Sequence, residues 1–305
     1  MKDCIIVGGG IAGLQAAIQL GRYSVHDILV IDKGKGRSTL CRDYHNILGW
    51  PEGISGDELR SRGRGQAESV GVQFINDTID KAESQGDSFH LIGTSGEEYR
   101  ARTILIATGL SDRFPDIPGL VPTLGRSVYV CPDCDGYEVQ NRKTIVLGAG
   151  EAGANMALLL SNRTDDLSYI NHEGTPVDDE LLQQMKVKGI KYIDETIAEV
   201  LCDADGMIRS VMLENGAKIE AERGFISFGG NEVHSELAEQ LGADLENNKH
   251  VKADPRSKMT NVPNVWIAGD LGVHAEQATV AMGDGATAAI WIHKELMSIN
   301  EQSIS

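Results

Sequence analysis

The sequence predicts an α/β protein of two three-layer domains, in which the first domain is interrupted by the second. An apolar run, a glycine-rich turn, a helix and another apolar run follow one another twice, within residues 4–32 and 143–170. Short continuous apolar runs are typical of buried parallel strands, and strands that alternate with helices form such sheets. A last apolar run near residue 265 returns the chain to the first domain. We therefore expect two Rossmann-like nucleotide-binding domains, one from residues 1–113 and 244–305 and one from residues 114–243.

The composition excludes several classes of function. A chain of 305 residues accommodates about two domains, and its net charge of −17 argues against a nucleic acid or an anionic membrane as partner. Five cysteines with one closely spaced pair are not a secreted disulfide framework, which favours a cytoplasmic protein. The sequence shows no signal peptide and no apolar run long enough to span a bilayer.

The first glycine-rich turn has the full context of a dinucleotide fingerprint, because it follows an apolar run and precedes a helix. Gly8 permits a tight turn, Gly10 lets the backbone approach a pyrophosphate, and Gly13 lets the helix and the strand pack closely. The helix N-terminus supplies unpaired N–H groups for the phosphates. Asp32 ends the next apolar run, where an acid accepts hydrogen bonds from a ribose.

The rest of the first domain is assigned from capping residues, apolar runs and turn signals. In chain order we predict a helix from residue 55 or 57 to residue 68, a third parallel strand at 72–74, a hairpin at 89–93 and 98–101, and a buried strand at 103–107. The proline-rich stretch Asp112–Gly119 marks the crossing to the second domain.

A C-x-x-C motif follows that crossing, at Cys131 and Cys134. This spacing suits a disulfide that opens and closes, because it commonly lowers one thiol pKa. Asp135 follows directly, and its carboxyl group can pass protons to and from a thiolate. Half of a zinc site or a structural disulfide are the alternatives. The other three cysteines are scattered and supply no second pair, so we expect redox chemistry and no metal.

A second glycine-rich turn, with Gly148, Gly150 and Gly153, opens the next nucleotide-type unit. After its second strand stand Asn171-His172-Glu173, where an NADPH site usually has arginine for the 2'-phosphate. Glu151 adds a negative charge inside the turn. This site is therefore predicted to prefer NADH, to bind a nicotinamide weakly, or to be only a scaffold. Beyond it we predict a helix at 181–188, strands near 190–192, 197–202, 208–213 and 224–228, a last strand at 264–270, and a closing helix from residue 276.

Taken together, these motifs resemble the low-molecular-weight thioredoxin reductases over essentially the whole chain. The position of the cysteine pair in the second domain, rather than near the N-terminus, separates this type from glutathione reductases. The matching stretches are Gly8–Gly13, Asn46–Gly56, Ala107–Gly109, Cys131–Gly136, Gly148–Gly153, Gly269-Asp270 and Gln277-Ala278.

The resemblance implies FAD bound by the first and last thirds of the chain. It implies that Cys134 lies nearest the flavin, that Cys131 attacks an external disulfide, and that Asp135 is the acid/base. It also implies a homodimer whose middle domain rotates during turnover, and a thioredoxin-like small redox protein as partner. The residues implied to bind FAD are Gly8, Gly10, Ile11, Ala12, Gly13, Asp32, Asn46, Ala107, Thr108, Gly109, Asp270, Gln277 and Ala278.

The electron donor and the direction of electron flow stay open. Without the basic pair, the resemblance allows a ferredoxin-type donor in place of NADPH. A second branch, the dithiol oxidases of the gliotoxin and holomycin type, shares Cys-Pro-x-Cys and a following Gly-aromatic-Glu, here Gly136-Tyr137-Glu138. Those enzymes pass electrons from a small dithiol through FAD to O2, but usually carry histidine at the position of Asp135. A non-enzymatic flavoprotein is the third alternative. His45 is interpreted as a structural hydrogen-bonding residue rather than a base.

Overall fold

The computed structural model describes residues 1–302 and confirms the predicted α/β class. The last three residues of the predicted range 244–305 lie outside the described residues. The strands are β1 (Lys2–Val7), β2 (Ile28–Ile31), β3 (Gln73–Ile75), β4 (Ile79–Gln85), β5 (Ser88–Gly93), β6 (Glu98–Ile106), β7 (Leu110–Ser111), β8 (Val128–Tyr129), β9 (Thr144–Gly148), β10 (Leu167–Asn171), β11 (Lys191–Ile193), β12 (Ile197–Cys202), β13 (Ile208–Leu213), β14 (Lys218–Glu220), β15 (Arg223–Ser227), β16 (Glu232–Val233) and β17 (Val265–Ile267). The helices are α1 (Ile11–Gly21), α2 (Gly56–Ser69), α3 (Pro132–Asp135), α4 (Gly150–Leu160), α5 (Asp179–Val187), α6 (Glu236–Gln240) and α7 (Ala278–Gln302).

The chain forms two compact units whose limits differ from the predicted domain boundaries. The first unit contains Met1–Thr39, Gly56–Ser111 and the chain from Glu232 onward, and the second contains Leu40–Ser55 and Asp112–Asn231. The crossings were expected after residues 113 and 243. The segment Leu40–Ser55 was expected in the first domain, but its contacts are with the second unit. Arg42 N–H donates to the Gly125 carbonyl (3.2 Å), and Arg126 forms an ion pair with Asp43 (3.0 Å).

The first unit is built on a seven-stranded sheet with the order β3-β2-β1-β6-β5-β4, and β17 also pairs with β6. The parallel part of the sheet contains β3, β2, β1, β6 and β17. Strand β5 pairs antiparallel with β6, and β4 pairs antiparallel with β5. Both faces are buried, since Ile5 of β1 packs in one apolar cluster and Ile6 in another. This arrangement brings the carboxyl ends of β1, β2 and β17 to the same edge as the start of α1.

The second unit repeats this plan on a smaller scale. A parallel sheet has the order β11-β10-β9-β15-β8, and a separate antiparallel sheet has the order β12-β13-β14. Tyr169 on β10 and Phe225 on β15 are fully buried against α4 and α5 side chains. Within residues 1–302, no helix combines the length and the apolar character needed to cross a membrane.

Candidate active site

The C-x-x-C motif forms a disulfide at the start of a single helical turn. Cys131 is the N-cap of α3, and Pro132 takes the first helical position, where a missing N–H is tolerated. The Cα atoms of Cys131 and Cys134 are 5.3 Å apart, within the usual range for a disulfide. The backbone N–H of Cys134 donates to Sγ of Cys131 over 3.1 Å. A donor in this place favours a negatively charged sulfur once the bond is opened.

The carboxyl group that follows the pair is set for proton transfer. Burial raises the pKa of Asp135 to about 7, and the negative charge of Glu138 adds to this shift. A group whose pKa lies near the ambient pH both accepts and donates protons readily. This raised pKa favours the prediction that Asp135 is the acid/base residue.

The thiols of Cys4 and Cys41 do not share this character. Cys4 is fully buried on β1, and burial raises its pKa to about 12. Burial, with a smaller contribution from the charge of Asp135, likewise raises the pKa of Cys41 to about 12. Since the thiolate is the reactive form, neither thiol competes with Cys131 and Cys134 near neutral pH.

The first glycine-rich turn leaves open space where a phosphate group would bind. A Cβ at Gly8, whose φ is +106°, would collide with the Ala107 carbonyl, and a Cβ at Gly13 would collide with the Gly8 carbonyl. A Cβ at Gly10 would meet nothing within 4 Å. Helix α1 has no side-chain cap and no acidic residue in its first turn, so its N–H groups at Ile11 and beyond remain available. This turn fits the pyrophosphate of a dinucleotide.

Two arginines that the sequence analysis did not select lie beside the predicted acids. Arg60 Nη2 is 2.9 Å from Oδ2 of Asp32, which follows β2. Arg37 Nη1 is 3.1 Å from Oδ2 of Asp270 and 2.7 Å from Oε2 of Glu276. Neither arginine belongs to a recognised motif, and arginines in a polar loop or on a helix that looks exposed are usually solvated.

Several other predicted cofactor residues surround this turn. The Ala107 N–H donates to the Val7 carbonyl (2.8 Å), and the Thr108 hydroxyl donates to the His234 carbonyl (2.6 Å). Gly109 has a φ of +65°. A Cβ at Gly269 would lie 2.9 Å from the Cβ of Ala12, which places Asp270 next to the first turn of α1. Gln277 and Ala278 lie at the start of α7.

A buried charge network holds the loop that contains Asp270. Asp284 on α7 is 2.7 Å from Nζ of Lys258 and 2.5 Å from Nε2 of His274, and it accepts the Gly269 N–H over 3.3 Å. The Asp284 hydrogen bond raises the pKa of His274. Burial opposes ionisation of Asp284, but hydrogen bonds from His274 and Lys258 outweigh it and lower its pKa. The sequence analysis did not identify this network.

Asn46 belongs to the second compact unit, whereas the other predicted FAD residues belong to the first. Its Nδ2 atom is buried and has no hydrogen-bond partner within residues 1–302. A buried amide donor without a partner is uncommon and points to an acceptor on a bound molecule.

The second glycine-rich turn is closed by side chains of its own unit. Oδ1 of Asn171, at the end of β10, accepts the Gly150 N–H over 2.9 Å. The two N–H groups of Nδ2 of Asn171 are shared among three acceptors: the Thr175 carbonyl (2.9 Å), the Tyr192 hydroxyl (3.0 Å) and Oδ1 of Asp194 (2.9 Å). The amide is only 1% exposed, and all its polar atoms are used.

The other positions of this turn are occupied in the same way. The Tyr169 ring fills the space beside Gly153, and its hydroxyl donates to the Gly150 carbonyl over 2.8 Å. A Cβ at Gly150 would lie 2.9 Å from the Thr175 methyl group. Glu173 forms an ion pair with Arg113 over 2.6 Å. The turn therefore does not fit a dinucleotide pyrophosphate in the way that the first turn does.

One group of potential metal ligands occurs among the described residues, although the sequence predicted no metal. Glu232, His234 and Glu236 each bring one ligand atom within 4.8 Å of the others. The two glutamates are exposed, and Nε2 of His234 lies 2.8 Å from the Ser111 hydroxyl. Exposed groups of this kind are common without an ion, so we assign no metal site.

Known proteins are similar to this one over nearly the whole chain. The family described as pyridine nucleotide-disulphide oxidoreductase matches residues 2–285. A thioredoxin reductase of Rickettsia bellii (strain RML369-C) is 30% identical over 304 residues, with 96% of this chain and 97% of the relative covered. The crystal structure of HlmI is similar with a TM-score of 0.89 at 26% identity, over 99% of this chain and 95% of that one. The atypical thioredoxin reductase TRi from Desulfovibrio vulgaris Hildenborough has a TM-score of 0.55 at 30% identity, with 98% and 99% covered.

The family match spans most of the chain, and the relatives are matched from end to end. The motif that carries the resemblance forms a disulfide and is followed directly in the sequence by Asp135, whose pKa is raised to about 7. The chain belongs to the pyridine nucleotide-disulphide oxidoreductases and is a thioredoxin reductase-like FAD-dependent disulfide oxidoreductase.

Proposed function

We propose that the protein moves electrons between FAD, held by the first unit, and the Cys131–Cys134 disulfide, and passes them on to a thioredoxin-like small disulfide protein. The observation that carries this proposal is the disulfide with Asp135 beside it, whose pKa is raised to about 7. The relative's name, thioredoxin reductase, supports the class of partner. We also propose a homodimer, as the family resemblance implies, and a cytoplasmic location, which the scattered cysteines favour.

The exchange with the partner uses only groups of this chain. The reduced Cys131 thiolate attacks one sulfur of the partner disulfide, which forms a mixed disulfide and releases one partner thiolate. Cys134 then attacks Sγ of Cys131, which releases the second partner thiolate and restores the Cys131–Cys134 bond. Asp135 takes the proton of Cys134 and returns it to a leaving thiolate. The Cys131 thiolate, the Cys134 thiol and one partner disulfide thus become one protein disulfide, one partner thiol and one partner thiolate.

The first unit has the features needed to hold FAD. The open space at Gly10 and the available N–H groups of α1 suit the pyrophosphate. Asp32, fixed by Arg60, suits a ribose, and Asp270 would lie toward the flavin end. FAD supplies the two-electron redox group that exchanges electrons with the cysteine pair. The other residues proposed to contact FAD are Gly8, Ile11, Ala12, Gly13, Asn46, Ala107, Thr108, Gly109, Gln277 and Ala278.

We infer that the electron donor is not a nicotinamide bound at the second glycine-rich turn. The Gly150 N–H is already used by Asn171, and no arginine stands at residues 171–173. Glu151 places a negative charge in the first turn of α4. A ferredoxin-type protein or a dithiol is therefore proposed as donor.

A small-molecule dithiol oxidase is the second candidate, in which electrons pass from a dithiol through the cysteine pair and FAD to O2. The closed second turn favours it, because such an oxidase needs no nicotinamide. Asp135, where the oxidase branch usually has histidine, favours the reductase.

The test uses the FAD-loaded protein without oxygen, and the flavin absorbance is followed. We expect no bleaching with NADPH or NADH and bleaching with dithiothreitol. Bleaching by either nicotinamide contradicts the inferred donor. Reduced ferredoxin is then tested in the same assay. In air, O2 consumption with a small dithiol identifies the oxidase.

The reductase itself is tested independently of the donor. The flavin is reduced with light under anaerobic conditions, and oxidised thioredoxin is added. We expect thioredoxin to reoxidise the flavin in the wild type and in Cys41→Ser, but not in Cys134→Ser with its FAD still bound. Full reoxidation in Cys134→Ser overturns the assignment.

A further inference from the structure

We propose that His26 and His293 form a pH-sensitive latch in the first unit, which joins the loop after α1 to helix α7 and opens when both imidazole rings are protonated. The loop comprises residues 22–27, between α1 and β2. Both histidines lie outside the residues proposed for FAD binding and for disulfide exchange. The proposal therefore does not depend on the proposed function, and it concerns how the first unit responds to acid.

The two imidazole rings are in direct hydrogen-bond contact. Nε2 of His26 is 2.8 Å from Nδ1 of His293. The ring of Tyr23, from the same loop, stacks on the His293 ring, with 3.8 Å between the centroids and 6° between the planes. Tyr23 also lies edge-on to His26, with 6.4 Å between the centroids. The loop thus holds α7 through one polar contact and one stacked contact, and His293 takes part in both.

The polar contact requires that at least one of the two rings is neutral. A hydrogen bond between two imidazole nitrogens needs an N–H group on one and a lone pair on the other, and a protonated ring has no lone pair. One added proton keeps the contact, because a protonated ring still donates to a neutral one. A second proton places two N–H groups and two positive charges face to face over 2.8 Å, so the rings must separate.

The other nitrogen of His26 opposes the second proton. Nδ1 of His26 is buried and has no hydrogen-bond partner among the described residues. Protonation puts a charged N–H group at this nitrogen without an acceptor, which is costly in a buried position. The surroundings therefore favour a neutral His26 that carries its hydrogen on Nε2 and donates it to His293.

Charged groups from two neighbouring strands act on His26. Burial, followed by the positive charge of His293, lowers the pKa of His26. The negative charge of Asp3 on β1 opposes this shift, and the positive charge of Arg102 on β6 adds to it. Asp3 is already engaged, because it forms an ion pair with Arg102 and accepts the Asp27 N–H over 2.8 Å. The nearest acid is thus shared with a permanent cation.

The remaining charged groups around the latch are paired elsewhere. Asp27, which follows His26 in the loop, forms an ion pair with Lys2 over 2.7 Å. On α7, the ammonium group of Lys294 lies over the Trp291 ring, 4.4 Å from its centroid. Neither group neutralises a second proton on the two histidines.

The latch stabilises the fold at neutral and alkaline pH and loses this contribution in acid. Because the pKa of His26 is lowered in the folded chain, the unfolded chain binds more protons below the ordinary histidine value of about 6.5. The stabilisation is complete above that pH and is lost as the pH falls through the lowered value. The first part of α7 is held separately, since a Cβ at Gly285 would collide with the Ala12 carbonyl. We therefore expect the loop and the distal part of α7 to open locally while FAD is retained.

The experiment follows amide hydrogen exchange of the FAD-loaded protein by NMR at pH 5, 6 and 7.5. Protection factors, which correct for the intrinsic effect of pH on exchange, are compared for two amides of α1 and its loop. The Tyr23 N–H donates to the Leu20 carbonyl over 3.2 Å, and the Leu14 N–H donates to the Gly10 carbonyl over 2.9 Å. The loss of one hydrogen bond should lower the protection of Tyr23 about fivefold at pH 5 relative to pH 7.5. The protection of Leu14 should change less.

Three variants separate the charge of the ring from its hydrogen bond. His26→Gln places an amide N–H near the position of Nε2, so protection should persist and no longer depend on pH. His26→Ala removes the contact and should give low protection at every pH. The matched control is His90→Gln on β5, whose ring faces Glu98 over 2.9 Å, and it should respond to pH as the wild type does.

The ionisation of the rings is measured directly from the Cε1–H resonances of labelled histidine. His26 should titrate below pH 6.5 in the wild type, and His293→Asn should move its midpoint upward, because a positive neighbour is lost. A midpoint that stays in place or moves downward overturns the proposal.

Equal protection of Tyr23 at pH 5 and pH 7.5 in the wild type also overturns the proposal, as does a wild-type pH response in His26→Gln. Flavin absorbance and circular dichroism verify that each variant is folded. If His26→Ala does not fold, the wild type, His26→Gln and His90→Gln still decide the outcome.

Discussion

The two glycine-rich turns share one sequence pattern and have opposite surroundings. Both follow a buried parallel strand and open a helix. At the first turn, the space over Gly10 is open and the next strand ends in Asp32, held by Arg60. At the second turn, the next strand ends in Asn171, whose amide takes the Gly150 N–H for itself. The glycine pattern alone therefore does not show that such a turn can accept a phosphate, because the residue at the end of the next strand can occupy its N–H groups.

The largest expected effects come from the glycines of the first turn. Gly13→Ala should lower the free energy of unfolding by about 3 kcal/mol and abolish FAD retention, because its Cβ collides with the Gly8 carbonyl. Gly10→Ala should keep the fold but lose FAD, since its Cβ meets only the space meant for the phosphate. Flavin absorbance after gel filtration measures FAD retention, and urea unfolding measures the free energy of unfolding. If Gly10→Ala retains FAD as well as the wild type does, the open space at Gly10 is not the phosphate site, and the contrast between the two turns fails.

A smaller effect is expected at the ends of the two strands. Asn171→Ala should lower the free energy of unfolding by about 2 kcal/mol without changing FAD affinity, because the buried Gly150 N–H loses its acceptor. Asp32→Ala should do the reverse, with FAD binding weakened about tenfold, or about 1.4 kcal/mol, and a smaller change in stability. Urea unfolding and FAD titration separate the two quantities. If both variants lose FAD affinity, the assignment of stability to Asn171 and of FAD binding to Asp32 is wrong.

The two turns should also differ in their response to pH. The pKa of Asp284 is lowered, so its stabilisation is present above the ordinary carboxyl value of about 4 and is lost as the pH falls below it. The pKa of His274 is raised, so its stabilisation is complete below about pH 6.5 and is lost as the pH rises through the raised value. We expect FAD retention to be strongest between these limits.

His274→Gln should flatten the alkaline side of that profile. The matching region of the second turn is held by an amide, hydroxyl groups and backbone. Hydrogen-exchange protection factors of the Gly150 N–H should therefore change less over this range than those of the Gly269 N–H. Equal pH dependence of the two amides would show that Asp284 does not hold the first region.

The smallest effect is expected for Glu151→Gln. This residue is exposed in the first turn of α4, so the free energy of unfolding should change by less than about 0.5 kcal/mol. Isothermal titration should still detect no NADPH binding, because Asn171 continues to close the turn. NADPH binding in this single variant would show that charge, and not closure, excludes the nucleotide.

Regular patterns in the sequence predicted most of the fold. The apolar runs at β1, β2, β9, β10 and β17 and the glycine turns after them were identified, because burial on both faces leaves a continuous apolar signal. Strand β4 was missed, since only Ile79 and Ala82 are buried and the alternation fails. The placement of Leu40–Ser55 depends on contacts with Gly125 and Arg126, far along the chain, which no local pattern reveals.

The candidate site was predicted less completely than the fold. The cysteine spacing and the following Asp135 can be read directly from the sequence. The raised pKa of Asp135 cannot, because it depends on burial and on the charge of Glu138. The missing arginines after β10 were noticed, but the sequence does not show that Asn171 would bind the Gly150 N–H. Arg60, Arg37 and Asp284 act through partners that lie 28, 233 and 15 residues away, respectively, beyond any motif.

The closure of the second turn has a consequence for how this sequence can change over generations. Four polar groups contact one amide, and a replacement of Asn171 that lacks an acceptor oxygen leaves the buried Gly150 N–H unpaired. A route to a nicotinamide site must also alter Glu151, Glu173 and Thr175, and none of these changes alone frees the Gly150 N–H. A substitution at Asn171 would free the Gly150 N–H and at the same time lower the stability of the second unit. The closed turn therefore couples access to the glycine-rich turn with the stability of the fold around it.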